Sequence, residues 1–173
     1  MGGGAEVDVD SRSLEGELPG SGARSLGAVW ALPPTWFFAL QLLMVVLHFA
    51  WPVAQWNLGM ARWWGLPFAV LGIVAVVGAA RQFRSVTTLM PFEEPTALVT
   101  GGFFRFSRNP MYLGMLLSIV GGVIMLGSLT PAIAIPLFVG LMQVRFIAHE
   151  ERILRRSFTG VYESYRNRVR RWL

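Results

Sequence analysis

The sequence predicts an all-α polytopic membrane protein with about four transmembrane helices and a C-terminal amphipathic cytoplasmic helix. Three observations predict it. Of 173 residues, 54% are hydrophobic and 14% charged, with a mean hydropathy of +0.51, too apolar for an ordinary soluble domain of this size. The apolar residues gather in four stretches, each long enough to cross a bilayer once as a helix. All 15 basic residues are arginine, and most of them crowd two of the segments outside those stretches.

Residues 1–34 are rich in Gly and Ser and carry Glu6, Asp8, Asp10, Glu15 and Glu17. They are too polar to bury a core and read as a disordered cytoplasmic tail ahead of a transmembrane domain over 35–173. Pro33 and Pro34 mark the entry to the first span, 36–55, with Thr35 as its expected cap. This span is not a secretory signal, because about thirty polar residues precede it instead of a short basic start. It carries Gln41 and His48, which suit hydrogen bonds between helices. The second span, 63–80, is uncharged. Trp51, Trp56, Trp63 and Trp64 cluster at the ends of these two spans and mark the outer aromatic belt.

The long loop that follows contains Arg81, Arg84, Arg105 and Arg108, and long ordered loops are usually functional. The third and fourth spans, 111–128 and 131–148, are joined by a connector too short for anything but a hairpin. The chain before Met111 and after Ala148 therefore emerges at one membrane face. Beyond lies a helix expected over about 149–172, whose Leu154, Phe158, Tyr162, Tyr165, Val169 and Trp172 form one apolar stripe, with a bend at Gly160. The arginine excess places both termini and the long loop in the cytoplasm. Lysine-free, Arg- and Gly-rich usage points to a bacterial inner membrane.

Several classes are excluded. The chain has no cysteine, so disulfides, thiolate metal sites and a cysteine nucleophile are absent, and no histidine pair has metal-ligand spacing. No metal is expected. The basic charge sits beside spans, so anionic membrane lipids and not nucleic acid are its partners. No internal repeat supports a transporter built from inverted halves.

The polar residues at the shared face are the candidates for chemistry. Arg105, Arg108, Asn109 and Pro110 precede the third span; Ser107 or Asn109 suits its cap and Pro110 its first turn, an arrangement that attracts anions. The plain alternative is that the arginines anchor the span among phosphates. Glu150 and Glu151 follow the fourth span and suit an ammonium or ribose hydroxyls. Their alternative is local salt bridging, Glu151 to Arg155 and Glu150 to Arg145 or Arg108. Tyr112 and Gly114, one turn into the third span, suit ligand contact or close helix packing.

At these residues the chain resembles the isoprenylcysteine carboxyl methyltransferase and phospholipid methyltransferase family of integral membrane enzymes. The resemblance covers roughly residues 60–173. It rests on Leu98-Val99-Thr100, Gly101 or Gly102, Phe104, the run Arg108-Asn109-Pro110-Met111-Tyr112-Leu113-Gly114, Glu150-Glu151, and Phe158, Tyr162, Tyr165, Val169 and Arg171-Trp172. The resemblance implies S-adenosylmethionine as cofactor. By it, main-chain groups of Ala97, Leu98 and Val99 line the adenosine, and Phe104 packs nearby. Arg108, Asn109, Pro110, Met111 and Tyr112 contact the cofactor, and Glu150 holds it by a polar contact, with Glu151 also in the cofactor-binding set. Arg145 orients the methyl acceptor, although alignment puts the family's arginine about one residue away.

Two departures bear on the acceptor. Asn109 stands where the family often has histidine, and asparagine does not titrate. The chain also lacks the proline-containing tail typical of the prenylcysteine enzymes. A carboxylate acceptor needs no base, whereas an amine or thiol must lose a proton, for which His149 or Glu150 is the local candidate. The expected activity is methyl transfer to a lipidic or amphipathic acceptor entering from the bilayer. Its rivals are an NADPH-dependent reductase of the sterol type and a non-catalytic lipid-binding protein. Oligomeric state is not legible.

Overall fold

The computed structural model describes residues 32–56, 59–84 and 97–173. Nearly all of the acidic tail and the Pro91–Pro95 stretch of the long loop lie outside the described residues. Helix α1 (Pro33–Ala50) is followed by a 3-10 turn (Gly59–Trp64) running into α2 (Gly65–Arg84). A second 3-10 turn (Gly102–Arg105) precedes α3 (Pro110–Leu126). The last long helix starts as a 3-10 turn (Thr130–Ile133) and continues as α4 (Ala134–Leu141), a π-helical segment (Met142–Ile147) and α5 (Ala148–Ser157), before the short α6 (Val161–Arg168). No strand occurs among the described residues.

Three helices are long and apolar enough to cross a membrane: Pro33–Ala50, Gly59–Arg84 and Thr130–Ser157. The fourth apolar helix, α3, has 17 residues and a length of about 26 Å, at the lower limit for a span. The chain is a membrane protein. The last helix is longer than a crossing needs; its apolar part ends near Ala148, and the polar turns from His149 onward project beyond it.

Two expected boundaries moved for local reasons. Thr35 does not cap α1: the helix starts at Pro33 with Leu32 at the cap position and no side-chain cap. Prolines fit the first helical turn, where their missing N–H costs nothing. The first span ends at Ala50 and not at residue 55, because Pro52 disfavours helix at the residue before it. Residues 51–56 instead dock on the hairpin connector: the Leu129 N–H donates to Val53 O, the Trp56 N–H to Gly127 O, and the Thr130 hydroxyl to Trp51 O.

Helix α3 is the centre of the bundle and presents two faces. Gly114, Ser118 and Gly121 face α2, where Gly72 and Gly65 meet them in antiparallel register. A Cβ at any of these four glycines would fall closer than 3.0 Å to the opposite main chain, so only glycine lets the backbones approach this far. Ser118 crosses the seam, its hydroxyl 3.3 Å from Ala69 O. The second face, Tyr112, Met115, Ile119 and Val123, packs against Leu40 and Met44 of α1 and Ala134, Phe138, Met142 and Phe146 of the last helix. Gly127, in the left-handed conformation at φ +67°, ends α3 as a glycine C-cap does.

The region expected as one helix over 149–172 is broken. Gly160 at φ +81° interrupts it, a conformation that side-chain-bearing residues rarely adopt. The chain reverses there, and Arg168 is the last helical residue. The tail then runs back to the start of α3, where the Arg108 N–H donates to Arg170 O at 3.0 Å.

Candidate active site

The hairpin places the start of α3 beside the start of α5. The Tyr112 hydroxyl donates to Glu150 Oε1 at 2.5 Å. Tyr112 is buried, its ring in the core. Glu150 is exposed, and its second oxygen has no partner among the described residues. Neither arginine proposed for it from sequence is its partner: Arg145 lies over the Trp36 ring, 5.9 Å from the centroid, and Arg108 is engaged elsewhere.

Glu151, its neighbour, is in the opposite situation. It is 6% exposed and both oxygens are occupied. Arg171 grips it in bidentate fashion, Nε to Oε1 at 2.9 Å and Nη2 to Oε2 at 2.7 Å. Arg108 Nη1 stands 3.1 Å from Oε1. The expected local pair with Arg155 does not form, and Arg155 turns to Glu163 at 3.6 Å. The reason is the reversal at Gly160, which delivers a fork-shaped guanidinium to the carboxylate from across the fold.

The same tail organises the start of α3. Asn109 sits at the cap position without capping; its side-chain amide donates to Arg171 O at 3.1 Å. The fully buried Ser107 donates its hydroxyl to the same carbonyl at 3.1 Å and accepts the Asn109 N–H, also at 3.1 Å. Arg108 Nη1 also lies 3.4 Å from the Tyr162 hydroxyl, and its Nε is buried without a hydrogen-bond partner among the described residues. Pro110 is buried and Met111 half-buried in the first turn.

The remaining expected residues are more dispersed. Ala97, Leu98 and Val99 are half-buried and irregular, and their main-chain groups make no hydrogen bond among the described residues. Phe104 is buried, its carbonyl accepting the Tyr165 hydroxyl at 2.7 Å. His149 is half-buried in the turn that bears Glu150. Arg145 is exposed on the π-helical segment. A π turn absorbs one extra residue, so the one-residue offset at Arg145 falls where the helix itself shifts register. A separate cavity of about 360 Å³, lined by Gly78, Gln82, Gly102, Phe103, Arg105 and Phe106, includes neither Tyr112 nor Glu150.

Burial pushes the Tyr165 phenol up to about 12, aided by the neighbouring Tyr162. Burial, with the Glu151 charge, also raises Tyr162. The hydrogen bond to Glu151 raises Arg171 further above its usual range. Sequence reasoning missed Ser107 and Arg171 as a buried junction, and it missed Gln143, which accepts the Trp172 indole N–H at 3.3 Å. The signal was the Arg171-Trp172 pair, which was read only as part of a helix.

The phospholipid methyltransferase family model matches residues 60–160. The chain belongs to the phospholipid methyltransferase family. Like others of this family it is a membrane methyltransferase. It is 28% identical over 140 residues to protein-S-isoprenylcysteine O-methyltransferase A of Arabidopsis thaliana, covering 76% of this chain and 71% of that protein. It is 34% identical over 109 residues to a probable protein-S-isoprenylcysteine O-methyltransferase of Oryza sativa subsp. indica, covering 61% of this chain and 56% of the relative. The subsp. japonica protein of the same name matches to the same extent. No solved structure matches the chain significantly. These matches favour methyl transfer over the reductase and lipid-binding readings.

Proposed function

We propose that this phospholipid methyltransferase family member transfers a methyl group from S-adenosylmethionine to a lipidic or amphipathic acceptor at the cytoplasmic face of the membrane. The observation that carries the site assignment is the contrast between the two adjacent carboxylates: Glu151 is fully engaged, whereas Glu150 is exposed, braced by Tyr112 and open at one oxygen. Such a carboxylate suits the ammonium or ribose hydroxyls of the cofactor. The main chain of Ala97, Leu98 and Val99, which makes no hydrogen bond among the described residues, fits an adenine edge, which needs one donor and one acceptor. Both observations agree with the donor set that S-adenosylmethionine requires.

When bound, S-adenosylmethionine supplies a methyl group already activated on a sulfonium. The protein's part is alignment and exclusion of water. Tyr112 fixes the Glu150 carboxylate, and Asn109, Pro110 and Met111, with Arg108, shape the mouth beside it. Arg145, held over Trp36 near the start of α1, orients an acidic acceptor group. For an acceptor that must lose a proton, His149 or Glu150 takes it. The curated relatives are named for isoprenylcysteine, so a prenylcysteine carboxylate is the first acceptor to test. The arginine excess beside the spans supports a reading with both termini in the cytoplasm, and the lysine-free, arginine-rich usage supports a bacterial inner membrane.

The test is titration of the detergent-solubilised full chain with S-adenosylmethionine, S-adenosylhomocysteine and NADPH, repeated with Glu150→Ala. Saturable adenosylmethionine binding lost in the variant is expected. Binding untouched by Glu150→Ala sinks the site, and NADPH binding in its place sinks the activity. Labelled methyl transfer to farnesylcysteine analogues and to phospholipid vesicles then separates the acceptor classes.

A further inference from the structure

Resting on the proposed methyltransferase site, we infer that the C-terminal tail from Val169 to Trp172 is a strap belonging to that site. Glu151 and Arg171 are its positioning residues, holding Arg108 and Asn109 in place for the cofactor.

Apart from the Val169 N–H, which donates to Tyr165 O at the end of α6, every polar contact of the strap among the described residues ends on a segment that bears a proposed site residue. Arg170 O takes the Arg108 N–H, and Arg171 O takes both the Asn109 amide and the Ser107 hydroxyl. The Arg171 side chain grips Glu151 beside Glu150 on α5. Trp172 reaches Gln143 on the π-helical segment that carries Arg145. One short tail therefore ties together the start of α3, the start of α5 and the π turn.

Charge explains why Glu151 is the fastener. Two guanidinium groups, Arg108 and Arg171, converge on one buried carboxylate, with side chains 10% and 33% exposed. Without that carboxylate, a nearly buried Arg108 would face a second cation, and removing one member of a buried pair is far more disruptive than the pair is stabilising. Arg108 would withdraw, and Asn109 with it. Glu151 and Glu150 are also successive residues of one helix, about 100° apart around its axis. Locking the first sets the rotation at which the second meets Tyr112. Glu151 thus acts through its neighbours and needs no contact with the cofactor.

The experiment compares full-length wild type with Glu151→Gln, Arg171→Gln, their double variant and Arg171→Lys in nanodiscs. The readouts are the S-adenosylhomocysteine Kd, the KM and kcat for S-adenosylmethionine, and amide hydrogen exchange over 107–113. Each Gln variant is expected to raise Kd and KM by roughly tenfold with a much smaller change in kcat. The double variant is expected to be no worse than the poorer single, and exchange over 107–113 accelerates in all three. Arg171→Lys keeps the charge but loses the fork, and is expected to recover part of the affinity; it also serves if Glu151→Gln does not fold. Weakened binding in Glu151→Gln but not in Arg171→Gln means that Glu151 touches the cofactor directly and overturns the inference. Unchanged Kd in both Gln variants also overturns it. If wild type binds neither adenosyl compound, the proposed function fails, and the exchange data alone decide the strap: unchanged exchange over 107–113 rejects it.

Discussion

The Tyr112 hydroxyl and the Glu150 carboxylate, 38 residues apart in sequence, meet at 2.5 Å, a buried donor against an exposed acceptor. The tyrosine ring is anchored in the core, so it offers the carboxylate a fixed point. A flexible glutamate at the end of a membrane helix becomes an oriented one.

Tyr112→Phe keeps the ring in the core and removes only the hydroxyl. Hydrogen bonds to a charged group contribute about 1.5–3 kcal/mol to the fold, so the thermal midpoint is expected to fall by only a few degrees, while the unbraced Glu150 carboxylate binds S-adenosylhomocysteine roughly tenfold more weakly. Calorimetric titration beside a melting curve checks both. A large fall in stability with unchanged affinity would make the tyrosine a packing residue.

The glycine seam between α2 and α3 predicts a position-specific stability pattern. Gly72→Val and Gly114→Val force side-chain atoms into the opposite main chain and are expected to lose several kcal/mol or fail to assemble. Gly140→Ala, with nothing within 4 Å of the added carbon, is expected to be neutral or to gain about 1 kcal/mol in helix propensity. Unfolding in mixed micelles with SDS ranks the three.

At the opposite end of the bundle, His48 Nδ1 lies 2.8 Å from Ser128 Oγ, linking α1 to the hairpin connector. Interhelical polar contacts of this kind contribute about 0.6 kcal/mol in membranes. Ser128→Ala is expected to lower stability by about that amount and to leave S-adenosylhomocysteine affinity at the wild-type value. A change in affinity would show that the two ends of the bundle are coupled.

Tyr165 gives a pH dependence whose sign is set by its burial. Its phenol titrates at about 12 in the fold against about 10 in an unfolded chain. The folded state therefore holds the proton more tightly. The stabilisation is complete below pH 10 and is lost as pH rises from 10 towards 12. Thermal unfolding at pH 9, 10 and 11 is expected to fall more steeply for wild type than for Tyr165→Phe; parallel curves would remove Tyr165 as the source.

Much of the site's placement was legible before any tertiary contact was known. The short connector after Leu126 forces the start of α3 and the start of α5 to one face, and Tyr112, Asn109 and Glu150 duly lie there. Gly114 was legible as a close-packing position, and Gly72 is the backbone it meets. His48 was legible as a polar contact within the bundle, but its partner, Ser128, lies in the hairpin connector and not in a helix. The partners of Glu151 were not legible, because a helix rule offers Arg155 four residues away, whereas the actual partner arrives after a chain reversal. The π-helical turn was also hidden, since nothing in the composition of Met142–Ile147 distinguishes it from an α turn.

The sequence by itself determined the all-helical membrane class, the order of the apolar segments and the face on which the polar motifs gather. Apolar length, glycine placement and connector length are local quantities that a single pass along the chain reads directly. The tertiary structure alone decided which of two adjacent glutamates is open and which is locked. Glu150 and Glu151 have the same chemistry and neighbouring positions; only the fold back at Gly160, which brings Arg171 to one while Tyr112 holds the other, makes them different.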